Sequence, residues 1–257
     1  MTSSQVQVAL SGVIPALVAM WFVDRLDAKR PEPARLRRLV VLAGMLSTIP
    51  AILIELVLSE GVGGQLEPIS LTYQGASFQS FAVAAAVEEA CKIAVVYWVV
   101  WRRPEFDERL DGIVYASRAG LGFALVENVL YLLQAHATGD TVSVWIGRAV
   151  LAVPGHAMWT GMIGYLAARR RFDRVGPGLV GGYLLAVAFH GGYDCTVFVR
   201  QPLLLEGHDL LATAMALGPI AYTVAAFLVL RHMAKTALRL DDAAAATAAV
   251  QAVLVRS

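Results

Sequence analysis

The stretch VAAAVEEACKIAVVYWVVWRR, Val83 to Arg103, is apolar enough to lie in lipid, yet Glu88, Glu89 and Lys92 sit inside it. A charged residue at the centre of a membrane helix costs about 2.5–3.5 kcal/mol on insertion scales. Three such residues within five positions need a common reason. The rest of the chain supplies the setting. Hydrophobic residues make up 58% of its 257 residues and charged residues 16%, and the mean hydropathy is +0.62. Soluble domains carry about a quarter charged residues. The class is therefore all-α, a polytopic transmembrane helix bundle whose first partner is the lipid bilayer. A net charge of +1 points to no nucleic acid.

A helix needs about twenty apolar residues to cross the hydrocarbon core. Seven segments qualify, at about 6–23, 39–58, 79–101, 111–135, 144–168, 178–199 and 210–230. The loops at 24–38, 102–110 and 169–177 and the stretch 231–239 together hold sixteen Lys and Arg, whereas the alternate loops at 59–78, 136–143 and 200–209 hold one, Arg200. By the positive-inside rule the N-terminus is outside and the C-terminus cytoplasmic. The reading is one multi-pass domain over 1–240, with a short tail at 241–257, helical or disordered. The first residues, MTSSQVQVAL, lack a basic n-region, so the first segment is expected to stay as a span. Cys91 and Cys195 lie in apolar runs without metal or redox spacing and read as small buried residues.

The ionisable residues inside the spans are Glu88, Glu89, Lys92, Arg118, Glu127, Arg148, His156, His190 and Asp194. Arg118 and Arg148 lie near enough to span ends to snorkel. At 1.5 Å per residue, Glu88, Glu127, His156, His190 and Asp194 all fall roughly 8–18 Å below the outer ends of their spans. Four helices thus bring acids and imidazoles to one layer. Glu88 and Lys92, and likewise His190 and Asp194, are spaced i,i+4 and share a helix face. Glu88 and Glu89 project about 100° apart, so one is expected to reach the site and the other to orient a neighbour. Small faces at Gly120–Phe123 and at Gly161 and Gly164 suit close helix packing. Pro154 frees a backbone carbonyl beside His156.

In order along the chain, EEACK (88–92), DGIVYASRAGLGFALVENVLYLL (111–133), PGHAMWTGMIGYL (154–166) and HGGYD (190–194) resemble the PrsW family of intramembrane proteases. A more distant resemblance is to the CAAX prenyl protease and Abi (CPBP) group, with Glu127 where that group has His and Asp194 where it has Asn. The match covers about 79–199, the motif-bearing core. It implies an endopeptidase of the cell membrane that cuts a membrane-tethered, single-span protein, of which an anti-sigma factor is the family's example. Catalytic candidates are Glu88, Glu89, Glu127, His190 and Asp194, supported by Lys92 and Asn128.

Two chemistries remain open on these residues. Clustered carboxyls in a low-dielectric site separate in acidity, so one serves as base and another as acid. Alternatively Glu89 (or Glu88), Glu127, His156 and His190 offer ligands for Zn2+, which needs three protein ligands and an open position. The rivals to an enzyme are a proton-coupled transporter, for which no repeated halves are found, and a non-catalytic Abi-type binding protein. Oligomeric state leaves no mark in the sequence.

Overall fold

A computed structural model describes residues 2–61 and 71–256; residues 62–70 of the loop expected at 59–78 lie outside the described residues. Helix α1 (Ser3–Leu26) opens on a capping box between Thr2 and Gln5. Helices α2 (Ala34–Leu46) and α3 (Thr48–Gly61) form one bent rod. The bend lies where the Ser47 and Thr48 hydroxyls donate to the Gly44 and Met45 carbonyls, both at 2.7 Å, and where Pro50 has no N–H to give. A second rod joins α4 (Tyr73–Phe78), a π-turn π1 (Gln79–Ala85) and α5 (Ala86–Val99).

Helix α6 (Arg109–Thr138) begins on a Glu108/Asp111 capping box and stops at Gly139, whose φ of 88° suits glycine. Then come α7 (Thr141–Gly147), π2 (Arg148–Ala152) and α8 (Val153–Asp173). Pro154 removes the N–H that would close the turn on π2, which explains the wider winding there. Helix α9 (Gly178–Phe198), the short α10 (Arg200–Leu205) and α11 (Asp209–Met215), and α12 (Gly218–Arg256) complete the chain.

The described residues form no strand. Four helical stretches are long and apolar enough to cross a membrane: Ser3–Leu26, Ala34–Glu60, Arg109–Thr138 and Asp209–Leu254. The stretches bearing Glu88, His156 and His190 are helical too, but charged and polar residues interrupt their apolar runs. Apolar side chains left exposed on α1 and α12, among them Leu10, Leu17, Phe22, Phe227 and Leu228, make surfaces suited to lipid.

Helix α6 is the central column, packed by α1, α2 and α8 and buried without a break from Leu110 to Ala124. Glycine makes that possible. Gly112 and Gly164 face each other so closely that a Cβ on Gly164 would overlap the Gly112 carbonyl. Gly164→Ala is therefore expected to cost about 2–3 kcal/mol, the range of overpacked cores. A thermal melt in detergent, at unchanged helix content, measures it.

Charges collect at the opposite end of α6 from Glu127. Arg109 pairs with Asp173 and, at 2.8 Å, with Asp241, while Arg30 meets Glu108 at 2.5 Å and Asp242 at 2.9 Å. Asp241 also accepts from the Leu110 N–H at 3.0 Å. The tail expected from 241 thus continues α12, held by a buried aspartate at its first residue. Arg118 does not snorkel. It is buried and turned onto Asp24 of α1.

Candidate active site

Helices α5, α6, α8 and α9 carry the polar layer, and the structure brings its members into contact. Lys92 is wholly buried. Its ammonium donates to Glu88 Oε2 at 2.7 Å and Glu89 Oε1 at 2.9 Å, and lies 2.8 Å from His156 Nδ1. The Phe123 ring covers it from the far side at 4.3 Å, a favourable place for a cation. Since an ammonium only donates, His156 Nδ1 accepts, and the ring proton belongs on Nε2. That nitrogen lies 2.8 Å from Glu127 Oε2.

The two adjacent glutamates part company here. Glu89 is fully enclosed and accepts from three sides: Lys92, the Thr160 hydroxyl at 2.8 Å, and His190 Nδ1 at 3.0 Å. Accepting the Nδ1–H of His190 leaves the Nε2 lone pair free. Nε2 faces Glu88 Oε2 at 3.9 Å and Asp194 Oδ2 at 3.4 Å. Trp159 stacks on the His190 ring at 4.2 Å and 14°, which fixes its plane. Glu88, by contrast, borders open space.

That space is a cavity of about 410 Å³ whose walls include Glu88, Glu127, Arg148, His156, His190 and Asp194. Both π-turns border it, π1 through Gln79 and Ala84 and π2 through Arg148 and Ala152. π-Turns recur at functional sites because they rotate side chains off the regular helical face. Glu89 and Lys92 are not on the cavity wall; they stand behind it.

Arg148 departs from expectation. Instead of reaching for the membrane surface, it pairs with Glu127 at 3.1 Å and donates through Nε to Asn128 Oδ1 at 2.9 Å. Asn128 in turn donates to the Gly12 carbonyl of α1 at 2.7 Å. Asn128 thus supports the site by aiming a guanidinium. The spacing Arg148, Ala152, His156 places the arginine on the histidine's face, the one signal in the sequence that marks it. Thr160, four residues beyond His156, carries the same signal. The cysteines are half-buried rather than buried and unlinked.

Among the described residues one group has the donors for a metal ion: Glu88, His156 and His190, with ligand atoms all within 4.8 Å of one another. Two imidazoles and a carboxylate are a donor set that catalytic zinc uses. A carboxylate behind one imidazole, as Glu89 stands behind His190, is the usual outer support. The chemistry of the residues therefore fits a divalent metal. Of the two glutamates open as ligands from sequence, Glu88 is in this group and Glu89 is not, and Glu127 lies beside the group against His156.

The sequence profile of the PrsW family intramembrane metalloproteases matches residues 32–230, which include every residue of this layer. The chain belongs to that family. It is 32% identical over 194 residues to Protease PrsW of Geobacillus kaustophilus, covering 74% of this chain and 80% of that one. Identity to Protease PrsW of Bacillus subtilis is 30% over 189 residues, covering 72% and 79%. For the Clostridioides difficile protein it is 28% over 199 residues, covering 74% and 79%. No solved structure matches. Membership in the PrsW family makes the chain a membrane-embedded protease, a hydrolase of peptide bonds, and sets aside the transporter and Abi-type binding readings.

Proposed function

We propose that Glu88, His156 and His190 hold a zinc ion at the cavity wall and that a single-span membrane protein is cut there. The observation that carries this reading is the convergence of two imidazoles and a carboxylate, from three helices, on one open cavity. Bound zinc supplies a Lewis acid and a water that ionises near neutral pH. The chain's own residues supply the rest. Glu89 holds His190 in the tautomer that presents Nε2. Glu127, beside the ligand set and faced by Arg148, takes the proton of the attacking water and returns it to the leaving amine. Arg148 keeps donors toward the cavity for the oxyanion. Asp194 stands at the same Nε2 edge of His190.

Lys92 sharpens the reading, because its ammonium already holds Glu88 and His156. Zinc and Lys92 compete for those two donors, and Glu89 remains with Lys92. A metal-free mechanism would run on Glu88 and Glu127 alone, so chelation separates the two. A strong chelator is expected to abolish cleavage of a reconstituted single-span substrate, and added zinc to restore it. Cleavage that persists under chelation overturns the zinc assignment.

Seven spans in the cell membrane, with an outer N-terminus, complete the reading; the lopsided distribution of Lys and Arg supports that topology. The site then opens toward the outer leaflet, which suits a tethered substrate of the anti-sigma-factor kind.

A further inference from the structure

Glu55 lies in α3, outside every motif, among side chains that face lipid: Ile52, Leu53, Ile54, Leu56 and Val57 are all exposed. Glu55 alone of this stretch is charged, and it turns inward to the wall of the cavity that holds Glu88, Glu127 and Asp194. Glu88 has Lys92 at 2.7 Å and Glu127 has Arg148 at 3.1 Å, while Asp194 lies against the His190 ring at 3.4 Å. Among the described residues Glu55 has no such partner, and its Oε1 is closed off from solvent with no donor in reach. Residues 62–70, VGGQLEPIS, contain no Lys, Arg or His, so no cation comes from there.

The charges point the same way. Glu55, Glu88, Glu89, Glu127 and Asp194 outnumber the two cations beside them, Lys92 and Arg148. Glu55 has no donor or cation against it among the described residues. A carboxylate oxygen shielded from water is costly unless a donor or cation meets it. Its place suits an incoming group. Glu55 stands about 9 Å from the end of α3, whereas Glu127 stands about 17 Å from the end of α6, so by helical rise Glu55 is the shallower of the two.

We propose that Glu55 is a specificity residue that reads a lysine or arginine of the substrate, on the outer side of the bond to be cut. This rests on the protease reading above. The long stems of Lys and Arg lie along apolar surface while the head reaches a polar site, as a residue flanking a substrate span must do. A neutral or acidic residue at that position leaves Glu55 unpaired or repelled, which is discrimination by penalty as well as by attraction.

Binding tests this without cleavage. In a Glu88→Gln background, two synthetic peptides with the same span of about twenty residues would differ only by Lys or Gln at the outer flank. The Lys peptide is expected to bind about tenfold more tightly or better. Adding Glu55→Gln removes that preference, and Glu55→Asp keeps part of it. Adding Glu55→Lys shifts the preference to a Glu peptide. Equal binding of the Lys and Gln peptides to the parent, or a preference that survives Glu55→Gln, overturns the proposal. A preference that behaves as expected while the wild-type chain leaves the same span uncut faults the cleavage-site reading and leaves this one standing.

Discussion

Glu88→Gln is expected to lower kcat/KM by about 1000-fold or more while the protein melts at nearly the wild-type temperature. Glu88 is the member of the glutamate pair that borders the cavity, and the proposed reaction places its charge where bonds change. Losing one preorganised electrostatic contact of that kind costs about 100- to 1000-fold, and the proposed zinc would lose a ligand with it. The fold survives because Lys92 keeps Glu89 at 2.9 Å. Glu89→Gln should behave differently. Glu89 touches no cavity; it positions His190 and receives Lys92 and Thr160, and supports of that sort are worth about 10- to 100-fold in activity. Steady-state kinetics on both variants, with their melting curves, separates the two roles.

Lys92→Met is expected to be the most damaging single change to stability. It leaves Glu88 and Glu89 side by side and buried with no ammonium between them. Removing one partner of a buried ion pair costs about 3–5 kcal/mol, because the remaining charge is uncompensated. The cation over the Phe123 ring goes too. Zinc should return part of the loss, since a dication held by Glu88 and the two histidines supplies the missing positive charge. The check is a melt of the variant with and without zinc. A variant as stable as the wild type would mean that the glutamates carry no charge in need of Lys92.

The polar layer was legible in the sequence for an energetic reason. Glu88, Glu127, His156 and His190 stand in apolar runs where a charge is expensive, and helical rise alone brings them to one depth. The division of labour between Glu88 and Glu89 was not legible. Their helix sets them about 100° apart, but Thr160 on α8 and His190 on α9 decide which faces inward, and those are contacts between distant segments. Arg148 and Arg118 misled for the same reason. Counting residues to a span end favours snorkelling, yet the partners that hold these two, Glu127 with Asn128 and Asp24, lie on other helices.

The fold shows a similar boundary. Pro154 announced an irregular turn beside His156, and π2 is there. Nothing comparable announced π1, where the Ser80 hydroxyl donates to the Ala76 carbonyl at 2.7 Å. The alanine run after Asp242 has the composition of a good helix, and α12 extends through it. What anchors that extension, Asp241 against Arg109 and Leu110, depends on two segments far apart in the chain.

The central claim is that the cavity bordered by Glu88, His156 and His190 is where peptide bonds are cut. It is tested most directly by following a purified single-span substrate, reconstituted with either the wild-type chain or Glu88→Gln, until fragments appear. The account predicts two fragments from the wild type and intact substrate with the variant, at matched stability. Equal fragmentation by both would contradict it.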